Sequence, residues 1–278
     1  MRWERRGRSS NLEDRRGGGM RTAGGIGIGG LVLVVLFALI TKQNPVALIG
    51  AVQQGAPSAE VAPVNDPDEE DKVEFVSFVF DDAQAMWAQL LPRTGTAWRD
   101  ARLVLFRNVV SSECGNAGSA TGPFYCPADE RVYIDLGFFD ELSSRFGAPG
   151  DFAEAYVLAH EIGHHVQNLE GTNAAVHDAS RRRRDQANEL SVRLELQADC
   201  YAGIWAAHAA RAGRLEMGDL EEGLGAASAV GDDRLQREAG AQVQPETFTH
   251  GTSEQRMTWF RRGFDSGDPG NCDTFRAR

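Results

Sequence analysis

The sequence predicts an α+β fold, a mainly helical domain carrying a small β-sheet and preceded by one transmembrane helix. Three observations carry that expectation. Apolar residues recur at three and four positions over several long stretches, two short β-rich runs lie between them, and residues 23–40 near the N-terminus carry no charge.

Residues 1–22 form a basic segment in which Arg2, Arg5, Arg6, Arg8, Arg15, Arg16 and Arg21 face only Glu4, Glu13 and Asp14. The segment is therefore +4 within a chain of net charge −11, which leaves −15 for the remainder. A body this acidic repels polyanions and excludes nucleic acid as a partner. The arginines read instead as an orientation signal that keeps the N-terminus cytoplasmic. Residues 23–41 are expected to form the transmembrane helix, dense in Leu, Val and Ile from Leu31 onward. No small-x-small site follows it, because Lys42, Gln43, Asn44 and Pro45 come next, so an uncleaved anchor is favoured over a signal peptide. Residues 42–72 are then a flexible spacer, rich in Ala, Pro, Asp and Glu toward its end. The globular domain follows over 73–278, placed outside the cytoplasm in a periplasmic or extracellular space.

Within that domain the periodicity of Phe75, Phe78, Val79, Ala83, Met86, Trp87 and Leu90 predicts an amphipathic helix over 73–91. Residues 102–110 and 131–136 read as strands, and 138–145 as a short helix stopped near Gly147 and Pro149. Asp151 is a candidate N-cap for a helix over 152–169. A second strong helix covers 188–211, and weaker ones cover 217–230 and 253–264. The run Arg181 to Arg184 is a solvated helix face or loop, since four adjacent arginines cannot all be buried.

Four cysteines suit an oxidising compartment with two disulfides. Cys114 and Cys126 flank a glycine-rich segment that can loop back, which makes them the first pair and leaves Cys200 with Cys272 by elimination. Connectivity cannot be fixed from sequence, and four reduced thiols are the alternative. No CxxC spacing is present to suggest a cysteine-based zinc site.

The chemistry is concentrated in His160-Glu161-Ile162-Gly163-His164, an HExxH pattern inside the first strong helix. Residues four apart share a helix face, so both imidazoles can reach one Zn2+ ion while Glu161, displaced around the helix, can act as a general base on water. A catalytic zinc takes three protein ligands. Glu195 and Asp199 lie four apart in an otherwise apolar stretch of the second strong helix, where an acid is costly unless paired or bound to metal. Glu195 is assigned to the metal and Asp199 to a supporting hydrogen bond with a ligating histidine. Helical spacing alone leaves the reverse assignment open. His165 points away from His164 and is expected to pack or hydrogen-bond, and His177 and His208 are read as structural. The third histidine of a metzincin would fall at 170, which is Glu170.

Several segments carry a resemblance to a known family. They are Met1-Arg2-Trp3, Gly122-Pro123-Phe124-Tyr125-Cys126-Pro127, Val132-Tyr133-Ile134-Asp135, Ala159-His160-Glu161-Ile162-Gly163-His164-His165, Glu195-Leu196-Gln197-Ala198-Asp199-Cys200 and Thr249-His250-Gly251-Thr252. Across nearly its whole length the chain resembles the bacterial neutral zinc metallopeptidases with one N-terminal membrane helix. The resemblance implies a zincin-like metallopeptidase domain, bound zinc, and a peptide or protein substrate. The helix order is also similar to that of membrane peptidases that process prenylated or misfolded proteins. Those carry Thr-His-Pro followed by an arginine, where this chain has Thr249-His250-Gly251 and Arg256. His250 is a candidate oxyanion stabiliser, and a plain surface histidine is its competing reading. Two rival functions stand beside the peptidase: a zinc-bound, catalytically silent peptide-binding membrane protein, and a structural membrane protein in which the two helices merely pack. The intact Glu161 argues against the first.

Overall fold

A computed structural model describes residues 1–17 and 67–276. The elements run β1 (Leu12–Asp14), α1 (Pro67–Leu90), β2 (Arg102–Phe106), β3 (Val109–Ser112), β4 (Gly115–Gly118), β5 (Phe124–Cys126) and β6 (Arg131–Asp135). They continue with α2 (Gly137–Ser144), α3 (Asp151–Leu169), α4 (Thr172–Arg182), α5 (Ala187–Arg211), α6 (Asp219–Ala229), α7 (Asp232–Glu238) and α8 (Ser253–Ser266). The expected α+β class holds, mainly helical with a small sheet. Among the described residues no helix is long and apolar enough to cross a membrane. The helix expected over 23–41, and the spacer as far as residue 66, lie outside the described residues.

The sheet has the order β1-β2-β6-β5, with β1 and β6 parallel to β2 and β5 antiparallel to β6. Leu103, Leu105, Val132 and Ile134 are fully buried on one face, and Val104 and Tyr133 are buried on the other. That two-sided burial explains why the central strands read as nearly continuous apolar runs. The expected strand over 102–110 is two strands, because Asn108 adopts a left-handed φ of 64° and turns the chain into the β3–β4 hairpin.

Two expected boundaries are corrected. The basic segment 1–22 does not stand apart, since Met1–Arg15 belong to the same compact unit as the domain. Leu12 pairs in register with Leu103, and Trp3 packs edge-on against Phe75 with ring centroids 5.5 Å apart. The spacer also ends early, because α1 begins at Pro67. One physical reason covers both corrections. Acids assigned to the spacer answer arginines assigned to the tail: Arg5 grips Asp71 with two bonds of 2.6 and 2.7 Å, and Arg8 bonds Glu70. Charges that look solvated in sequence are partners in the fold.

Three helices carry the site. Gly163 lets α3 cross close to α5, where a Cβ would meet the Ala198 carbonyl oxygen at 3.0 Å. The crossing of α5 and α8 is tighter, since a Cβ at Gly263 would stand 1.9 Å from the Cys200 carbonyl oxygen. Such approaches need residues without side chains. Disulfides join Cys114 to Cys126 and Cys200 to Cys272. The second ties α5, one residue beyond Asp199, to the C-terminal segment.

Candidate metal centre

The one-turn offset on α3 stacks His160 and His164, and the close crossing at Gly163 brings Glu195 of α5 against them. His160 Nε2 lies 3.2 Å from one Glu195 oxygen, and His164 Nε2 lies 3.4 Å from the other. One donor atom from each of the three residues falls within 4.8 Å of the others. Two imidazole nitrogens and a carboxylate are the donor set of a zinc site with a position left for water or substrate. The fit extends behind the ligands, where each imidazole has its other nitrogen held.

His160 Nδ1 donates to Asp199 Oδ1 at 2.9 Å. Asp199 is fully buried and also receives Arg256 Nε at 2.8 Å, Arg256 Nη2 at 2.9 Å, and the Tyr156 hydroxyl. Burial pushes its carboxyl up, yet the Arg256 guanidinium and His160 override burial and bring it down to about 2. It is therefore a fixed anion, and the His160 proton stays on Nδ1, leaving Nε2 to face the centre. His164 Nδ1 donates to Gln167 Oε1 at 2.9 Å, and Gln167 Nε2 is spent on the Leu194 carbonyl at 2.7 Å and on Gln197 at 3.0 Å. Burial also works to raise the Glu195 carboxyl, but His164 and His160 hold it well below the usual carboxylate range.

Glu161 sits on the same helix and is buried, and burial raises its carboxyl against the pull of His164 and His160. His165 uses both ring nitrogens elsewhere: Nδ1 accepts from the Tyr125 hydroxyl at 2.9 Å, and Nε2 donates to the Arg99 carbonyl at 2.7 Å. His250 stands half exposed on the loop between α7 and α8, held by Asp232. Gly251 has a φ of +93°, and a Cβ there would meet Val192 and Leu196 of α5 at 3.2 and 3.4 Å. A proline cannot adopt that φ, so the Thr-His-Gly sequence belongs to this loop's geometry. A second acidic group, Asp151, Asp219 and Glu222, lies at the starts of α3 and α6. The Met1 ammonium lies 2.6 Å from Asp151 and 3.4 Å from Asp219.

Sequence reasoning missed Gln167, Tyr156 and Asp232. The first two were findable, since Gln167 follows His164 by three and Tyr156 precedes His160 by four, both on the helix face that carries the two histidines. Asp232 had no such signal, because its partners are on a distant loop.

Fold and site together define a mainly helical protein with a candidate metal centre, a pair of histidines and a glutamate contributed by two crossing helices. The chain belongs to the family described as "Putative neutral zinc metallopeptidase", whose model matches residues 1–275. It is 44% identical to the uncharacterized protein YpfJ of Escherichia coli strain K12, covering 99% of each chain. It is also 44% identical to the uncharacterized protein Mb2605 of Mycobacterium bovis, over 69% of this chain and 67% of that one. The uncharacterized protein Rv2575 of Mycobacterium tuberculosis strain H37Rv gives the same values. No solved structure matches.

Proposed function

We propose that the protein is a membrane-attached zinc peptidase, with the metal on His160, His164 and Glu195 and with Glu161 as general base. The observation that carries this reading is the convergence of His160, His164 and Glu195 beside a buried glutamate that is not itself one of the three. Zinc held there supplies a Lewis acid that polarises the scissile carbonyl and draws the pKa of water down toward ~7. Glu161 takes the proton from the attacking water and passes it to the leaving amine, a transfer its raised carboxyl suits. His250 donates to the oxyanion that develops on the carbonyl. Asp199 and Gln167 keep the two rings aimed while this happens.

Attachment is through residues 23–41. The two disulfides favour an oxidising compartment for the domain. The pairing of β1 with β2 supports placing the N-terminal residues in the same compartment as the domain, a reading in which residues 23–41 attach from one side instead of crossing the membrane once.

The test is incubation of the zinc-loaded protein with unfolded protein substrates, beside Glu161→Gln. Cleavage by the wild type and none by the variant supports the peptidase. Zinc bound at one per chain, with no difference between the two proteins, would favour the silent peptide-binding alternative.

A further inference from the structure

Asp232 is the first residue of α7, yet its carboxylate serves another segment. Oδ2 accepts from three successive backbone amides, Thr249 at 2.8 Å, His250 at 2.6 Å and Gly251 at 2.9 Å. Oδ1 lies 3.2 Å from His250 Nδ1, and the Asp232 amide donates back to the Gly251 carbonyl at 2.9 Å. A single side chain thus fixes the loop's backbone and one edge of the imidazole. His250 Nδ1 also meets Thr249 Oγ1 at 3.1 Å. Both of these contacts are on Nδ1, and Nε2 has no hydrogen-bond partner among the described residues.

We infer that Asp232 is a positioning residue, which holds His250 as an imidazolium whose Nε2–H is the donor to the oxyanion. This rests on the peptidase reading above. A neutral His250 that donates Nδ1–H to Asp232 would present Nε2 as an acceptor, which repels an oxyanion. The second proton is therefore required for the role. The charged groups that act on the ring come from three elements, Asp232 of α7, Glu195 of α5 and Arg256 of α8. The Asp232 hydrogen bond is the largest influence and raises the imidazole's pKa; burial and Arg256 oppose it, and Glu195 assists. The partner responds in kind: burial works to raise the Asp232 carboxyl, but the His250 ring, its amide and the Gly251 amide hold it below the usual range. The loop that carries the pair is pressed onto α5 at Val192 and Leu196, either side of Glu195 in sequence. A plain loop staple would need the three amide bonds and nothing from the ring.

The experiment uses the zinc-loaded full chain with Asp232→Asn, Asp232→Glu, His250→Gln and the double variant Asp232→Asn/His250→Gln. Removing one oxyanion donor costs ~10²–10³ in kcat, and a residue that acts through that donor loses no more. Asp232→Asn is expected to lower kcat with little change in KM. Because His250 must be protonated, loss of the carboxylate lowers its pKa and moves the alkaline limb of the pH profile to lower pH. Asp232→Glu restores the limb, and the double variant is no slower than His250→Gln. Multiplying losses, or an alkaline limb that stays in place, would overturn the inference. Titration of the His250 ring by NMR is read in parallel and does not depend on turnover. If the wild type cleaves nothing, the peptidase reading fails, and an unchanged His250 titration in Asp232→Asn separately sinks the pairing.

Discussion

His160 Nδ1 lies 2.9 Å from Asp199 Oδ1, and this contact sets the tautomer of the ring whose other nitrogen faces Glu195. Glu195 and Asp199 are one turn apart on α5, but their surroundings differ. Glu195 presents one oxygen to each histidine, whereas Asp199 is enclosed by His160, Tyr156 and Arg256. Glu195→Ala is therefore expected to lose stoichiometric zinc. Asp199→Ala is expected to weaken zinc affinity by ~10 to 100-fold. Competition with a chelator ranks the two variants, and a larger loss at Asp199 would mean that their roles are exchanged.

Glu161→Gln preserves the shape and, on the proposed mechanism, removes the base without touching His160, His164 or Glu195. Zinc content by elemental analysis is expected to equal that of the wild type while turnover falls by several orders of magnitude. Equal loss of zinc would contradict a base that is separate from the ligand set.

The candidate histidine pair and its helix were legible because both signals are local. His160 and His164 share a face by numbering alone, and the stretches 152–169 and 188–211 keep helical periodicity over more than four turns. What was missed depends on distant partners. β1 is three residues, Leu12–Asp14, in an arginine-rich segment, and its place depends on β2 and on acids some sixty positions away. Helix α4 has no buried residue, so no apolar pattern could reveal it, and seven-residue α7 has none either. Asp232 was invisible for the same reason, since nothing near it in sequence says that its carboxylate caps a loop beginning at Thr249.

The crossing of α5 and α8 gives a stability prediction. Gly203 and Gly263 face backbone so closely that an added Cβ would stand 2.0 Å from the Phe260 carbonyl oxygen and 1.9 Å from that of Cys200. Gly263→Ala must push α8 away from α5. It is expected to destabilise the fold by about 1–3 kcal/mol, as overpacking does, with a lower melting temperature. Because Arg256 travels with α8, zinc affinity is expected to fall as well. An unchanged melting temperature would show that the helices can part at no cost.

The last prediction concerns which side of the membrane the N-terminus occupies. Its arginines alone would place it in the cytoplasm, with the domain across the bilayer. The fold sets a different condition, because the Asn11 carbonyl accepts from the Leu103 amide at 3.0 Å and Arg15 N donates to the Leu105 carbonyl at 2.7 Å. Arg5 and Asp71 are joined by two hydrogen bonds as well. A membrane between these partners would break all of those contacts and expose the edge of β2, whose residues from Leu103 to Phe106 are buried. Among the described residues every cysteine is already in a disulfide, so introduced thiols are unambiguous. In native membranes, Arg5→Cys with Asp71→Cys is expected to cross-link, either directly or through a short bifunctional thiol reagent. The single variants Arg6→Cys and Arg262→Cys, at two exposed positions, are expected to react alike with a membrane-impermeant maleimide, both labelled or both protected until the membrane is opened. Labelling of one and protection of the other would place the arm and the domain on opposite faces and remove β1 from the sheet in the membrane-bound protein.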